Sequence, residues 1–166
     1  MTYMPEPHPQ DQIVAIGEDR MQDKRAGTMP MAYKLRRPGA RPLSFRGTEL
    51  GMAMSFSPDL PYWYEVNLYR TADQGFALAI RTFFQSEDEK DMVSAWSFES
   101  IGEAIDALEA YDPARDLRIG VDAGDPALTG PELAAHAMAL RARTEEARRH
   151  FAGLVGEFLH QMDQPG

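Results

Sequence analysis

The chain has 166 residues and no cysteine, with 26 Asp and Glu against 17 Lys and Arg for a formal net charge of −9. These totals exclude disulfides, thiolate metal sites and a cysteine nucleophile, and a chain of this length buries roughly 70% of its unfolded surface without such staples. The charge is uneven: residues 1–46 carry eight Lys/Arg and five Asp/Glu, and residues 47–166 carry nine and twenty-one, an acidic body that disfavours a broad nucleic-acid surface.

No run of 18 apolar residues occurs, so no transmembrane helix is expected. The start, MTYMPEPHPQDQ, has neither a basic beginning nor an apolar core of signal type, and a cytoplasmic protein is the expectation. Residues 1–43 read as an extended N-terminal arm. Residues 1–12 hold three prolines and little that is apolar; residues 13–16 suit one short strand or turn. Residues 34–46, KLRRPGARPLSFR, place five bases in thirteen positions, and Pro38 and Pro42 forbid a helix interior there. Lys34, Arg36, Arg37 and Arg41 can then lie electrostatically across the acidic body, or reach a nucleic acid or acidic partner.

Residues 44–121 read as the core, an antiparallel meander of four to five strands with a helix on one face. Leu50, Met52, Met54 and Phe56 alternate with small or polar residues and define a first strand with one apolar face. Residues 62–82, YWYEVNLYRTADQGFALAIRT, form the clearest hairpin: Tyr64, Val66 and Leu68 alternate, as do Phe76, Leu78 and Ile80. The connection ends in Gly75, a residue suited to positive φ at a hairpin turn. SEDEKD at 86–91 is a solvated tip that also discourages edge-to-edge pairing, and residues 92–98 make a fourth strand.

Ser100 and Glu103 have the spacing of a capping box, and Ile101, Ala104, Ile105 and Leu108 follow as one helical stripe. Leu117, Ile119 and Val121 alternate as a possible fifth strand. The last element, over 129–163, is a long helix that Thr129 can cap, with Pro131 in its first turn. Leu133, Ala137, Leu140, Thr144, Ala147, Phe151, Leu154 and Phe158 keep the four-three spacing of a coiled-coil seam. The seam packs either on the chain's own sheet or against a second copy, the latter a dimer built on Leu140, Ala147, Phe151, Leu154 and Phe158.

Two pieces, Phe45-Arg-Gly-Thr-Glu-Leu50 and residues 62–76 with Leu68-Tyr69-Arg70-Thr71 at their centre, resemble the bacterial EXLDI family over about residues 45–115. Its members show an F-x-G-x-x-L start, a V-Y-R-T hairpin and a following short helix. The resemblance implies a small α+β unit and no catalytic residues. This chain lacks the closing E-x-L-D-I and carries the long helix instead. The strand-strand-strand-helix order is also similar to that of HicB-type antitoxins, a likeness of topology alone.

No nucleophile elbow, phosphate loop or dinucleotide fingerprint occurs, so no catalytic residue, cofactor or metal ion is expected. Glu146, His150, Glu157 and His160 form a polar stripe beside the seam, and Glu-x-x-His is a spacing that di-iron helices use. Trp63, Tyr69, Arg81 and Phe83 fall together on the face opposite Tyr64, Val66 and Leu68, where they suit a protein partner. The leading expectation is a non-enzymatic interaction or regulatory module, homodimeric or bound to another protein. The alternatives are an antitoxin-like regulator touching nucleic acid through 34–46, and a metal protein or enzyme using the Glu/His stripe.

Overall fold

A computed structural model of the protein describes residues 29–117 and 120–164. The expectations for residues 1–28, and for Ile119 within the fifth strand, lie outside the described residues. Five strands follow one another across a single antiparallel half-barrel sheet: β1 (Met31–Leu35), β2 (Leu43–Met54), β3 (Tyr62–Thr71), β4 (Phe76–Phe84) and β5 (Met92–Phe98). α1 (Ile101–Ala110) and α2 (Gly130–Asp163) close the fold, with a 3-10 turn at Pro113–Asp116 between them.

The central hairpin follows its alternation. Val66 pairs with Ile80 and Leu68 with Leu78 on the helix-covered face, while Asn67 pairs with Ala79 and Tyr69 with Ala77 on the other. The turn departs from expectation in one detail. Gln74, at φ 73, takes the left-handed conformation that Gly75 was expected to hold. Gly75 is required for space instead, since a Cβ there would sit 2.9 Å from the Phe98 carbonyl oxygen. The turn is closed by Thr71 N–H donating to the Gly75 carbonyl at 2.9 Å and by Thr71 Oγ1 donating to Asp73.

The fifth strand is β1. Part of the segment read as an arm is therefore sheet edge: Tyr33 pairs with Phe45 and Leu35 with Leu43. The connection turns at Pro38-Gly39, where Gly39 has φ 70 and Ala40 N–H donates to the Arg37 carbonyl at 3.2 Å. Pro at the second position and a positive φ at the third define a type II turn. The two prolines that forbid a helix here are the punctuation of a hairpin.

β2 corrects a second expectation. Its apolar alternation is real but points the other way: Leu50, Met54 and the following Phe56 are exposed, and Ala53 is the buried residue. Register shifts between Glu49 and Gly51, and a bulge of this kind reverses which residues face the core. Gly51 then leaves room for α2, because a Cβ there would meet Met162 Sδ at 2.6 Å and Phe158 Cε2 at 3.1 Å.

Both helices start on capping boxes, Ser100 with Glu103 and Thr129 with Glu132. α1 buries Ala104 and Leu108 and leaves Ile101 exposed. α2 buries Ala147, Phe151, Leu154, Val155 and Phe158, all in its second half. Phe151 meets Tyr64 edge-on with ring centroids 5.3 Å apart and Tyr111 at 5.2 Å. Full burial of each Phe or Leu is worth about 1.5–3 kcal/mol, so these side chains fix α2 to the sheet. Arg148 adds a two-pronged contact to Asp112 at 3.0 and 2.7 Å. Both partners of that pair are half exposed, so solvent screens it and it adds little beside the apolar contacts.

Candidate interaction surfaces

Trp63, Arg81 and Phe83 come together as the sequence implied, and Tyr69 does not join them. Trp63 and Phe83 are cross-strand partners with stacked rings 5.5 Å apart, and Phe56 meets Trp63 edge-on at 5.4 Å. Phe56 is 63% exposed, so this small aromatic array is open at its outer end. Phe56 was read onto the opposite face; the β2 bulge hid it. Tyr69 lies six residues along β3 and is fully buried. It packs with Tyr33 at 4.6 Å and Phe45 at 5.4 Å, within a second, smaller core that includes Leu35, Ala77, Ala79 and Ala95.

Between the two aromatic groups the same face carries polar side chains. Glu65 pairs across strands with Arg81, and both Glu65 and Asn67 are buried. Glu65 Oε1, both amide atoms of Asn67 and Arg81 Nε make no hydrogen bond among the described residues. An unsatisfied buried polar group costs about 1–3 kcal/mol, so this strip lowers stability where a plain apolar face would not.

The polar stripe of α2 divides. Glu146, His150 and Glu157 line an open groove of about 510 Å³ between α2 and the β2–β3 connection, opposite Met54, Phe56 and Leu60. His150 Nε2 donates to the Ser55 carbonyl at 3.0 Å, which ties the ring to the main chain. His160 lies outside the groove, where Gln164 Nε2 donates to its Nε2 at 2.9 Å. Among the described residues no three His, Asp or Glu side chains are placed to hold a metal ion. Behind the groove, burial and the nearby Glu146 charge push the Tyr62 hydroxyl up to about 12. Burial also raises Tyr64, and burial with a hydrogen bond to Asp116 raises Tyr111.

The predicted dimer seam is divided as well. Ala147, Phe151, Leu154 and Phe158 are buried in the chain's own core, which removes them from any intermolecular contact in this fold. Their spacing is that of a helix packing on its own sheet, and the two cases share one periodicity. Leu140 is half buried, and from Gly130 to Arg143 every other residue of α2 is exposed. Leu133 and Met138 are 37% and 73% exposed.

The basic residues gather at one corner. Lys34, Arg36 and Arg41 are exposed on β1 and its turn, and Arg37 braces the turn by donating from Nε to the Arg41 carbonyl at 2.8 Å. Arg46, the last base of the 34–46 segment, stands beside them on β2, and Arg70 on β3 joins the group through strand pairing alone. Comparison with family models, with curated proteins and with solved structures finds no match to this chain. The class the architecture defines is a five-stranded α+β half-barrel with one short helix and one long helix. Among the described residues no helix is long and apolar enough to cross a membrane.

Proposed function

We propose that this chain is a non-enzymatic interaction module that self-associates through the first half of α2. One observation carries the reading: the apolar seam continues past the body, its lower half buried on the sheet and its upper half exposed at Leu133 and Ala137 and half-buried at Leu140. The exposed stretch, residues 130–143, spans about 21 Å at 1.5 Å per residue. Its start is locked by the Thr129–Glu132 capping box, so a defined helix is held out from the core without a partner.

Charge favours a second copy running antiparallel. Glu132 stands at the start of the exposed stretch and Arg141 and Arg143 at its end. An antiparallel two-fold brings Glu132 of one copy level with the arginines of the other and opposes the helix dipoles. A parallel pair sets arginine beside arginine. Ala134 and Ala137 permit the helices to approach closely. Light scattering tests the reading: the wild type has twice the 18.6 kDa chain mass, and the double variant Leu133→Glu, Leu140→Glu has the mass of one chain. A wild type that stays at one chain mass at high concentration, or a double variant whose mass does not fall, refutes it.

A further inference from the structure

We propose that the β1–β2 hairpin is a docking surface for B-form duplex DNA, with its cations meeting backbone phosphates along one side of a two-stranded ribbon. Residues 34–46 hold five bases and no acid. The register arranges them. Lys34 lies opposite Ser44, Arg46 opposite Ala32, and Arg70 opposite Thr48. Strand alternation therefore puts Lys34, Arg46 and Arg70 on one side, each a diagonal neighbour of the next at roughly 7–8 Å. Arg36, Arg37 and Arg41 continue the group around the turn.

Among the described residues no carboxylate pairs with these cations. The ion pairs among the described residues are Arg115–Asp116, Arg141–Glu145 and Arg148–Asp112. None involves the hairpin, although acids outnumber bases 26 to 17 over the chain. Arg37 and Arg46 donate to main-chain carbonyls of Arg41 and Pro30, contacts that orient a guanidinium and leave its charge uncompensated. Asp73, at the same end of the sheet, already accepts from Thr71. The acidic tip at 86–91 joins β4 to β5 and so lies at the opposite end of an antiparallel meander.

The rest of the hairpin decides which polyanion fits. A single strand is gripped by stacking its bases on aromatic rings, and the rings available, Tyr33 and Phe45, are turned to the other side and packed on Tyr69. The deep, narrow major groove of A-form RNA excludes a ribbon, whereas the B-form major groove, about 12 Å wide, admits one. Five of the six cations are arginines, whose planar fork matches a phosphate in two contacts. The acidic body would repel DNA elsewhere and confine contact to this corner.

The test is fluorescence anisotropy of the full chain with a labelled 20-base-pair duplex, titrated across salt. Affinity should fall with salt at a log–log slope approaching about −5, from roughly −0.9 per phosphate for six contacts. Lys34, Arg36 and Arg41 are exposed and their side chains make no hydrogen bond or ion pair among the described residues, so replacing all three with Ala should leave the circular dichroism unchanged. It should weaken binding about tenfold or more and flatten the slope by about 3. Replacing Lys90, exposed in the β4–β5 connection at the opposite end of the sheet, with Ala should leave binding as it is. The proposal is overturned by a duplex that does not bind at low salt, by an unchanged triple variant, by tighter binding of a single strand of equal length, or by capture of a polyglutamate peptide in place of DNA.

Discussion

Gly47 and Gly51 stand four residues apart on β2, and Ala at each position meets a different obstacle. At Gly47 a Cβ would lie 2.2 Å from the Arg70 carbonyl oxygen, 3.1 Å from its carbon and 3.2 Å from Thr71 Cα. All three are backbone atoms of the neighbouring strand, so relief requires β2 and β3 to separate by most of an ångström. That movement pulls Gly47 away from its register partner Thr71 and breaks the adjacent bond from Ala72 N–H to the Arg46 carbonyl at 2.8 Å. The lost Ala72–Arg46 hydrogen bond at about 1 kcal/mol, with the strand packing loosened on either side of it, sets the cost at about 3 kcal/mol. At Gly51 the nearest atom is the thioether of Met162, the far end of a flexible side chain, and a rotamer change holds the cost to about 1 kcal/mol. Urea unfolding followed by circular dichroism should show Gly47→Ala losing about 2 kcal/mol more than Gly51→Ala, equivalent to a Tm lower by about 4–8 °C. Equal losses, or a smaller loss at Gly47, would refute the claim that the hairpin's seat on β3 depends on that close approach.

Replacing Asn67 with Leu removes a fully buried amide with no hydrogen bond among the described residues, and the unfolding free energy should rise by about 1 kcal/mol; a fall would mean the amide is satisfied by a group beyond those described. Truncating Phe158, which is 1% exposed beneath Gly51, should cost about 3–5 kcal/mol in the same assay, and a loss below about 1 kcal/mol would show that α2 does not close the core there. The alkaline limb of stability follows from the tyrosines. Tyr62, raised to about 12, and Tyr64 and Tyr111, raised further, stay neutral in the folded chain, while an unfolded tyrosine ionises near 10. Their contribution is complete below pH 10 and is lost as pH rises through about 12. Melting temperature should therefore be flat from pH 8 to 9 and fall beyond 10, with tyrosinate absorbance appearing together with unfolding; early ionisation without unfolding would contradict the buried placement.

What could be read from the residues was whatever short-range periodicity determines. The β3–β4 pairing, the Ser100–Glu103 box and the long helix follow from alternation, capping and heptad spacing, each contained in a few neighbouring residues. β1 was hidden because Tyr33, Leu35, Leu43 and Phe45 alternate with Lys34, Arg36, Ser44 and Arg46 and are split by two prolines, so charge masked the sheet edge. The face of β2 was inverted because a bulge at Leu50 has no local signature. The α2 seam was legible as a seam, but where its partner changes from sheet to open solvent depends on where the body ends. Of the candidate surface, Trp63, Arg81 and Phe83 were recognisable from strand parity, while Phe56 and Arg70 join their groups only through tertiary pairing.

Cross-linking tests the central claim most directly, because the chain has no cysteine of its own. A single Ala137→Cys on the exposed seam brings two sulfurs to bridging range across a closely packed antiparallel pair, where Cα atoms need to lie about 4.4–6.8 Å apart. Mild oxidation should convert this variant to a disulfide-linked dimer on a non-reducing gel, while Ala135→Cys, on the outer side of the same helix, stays at one chain mass. Failure of the Ala137 variant to link, or equal linking of both, would contradict self-association through this face of α2.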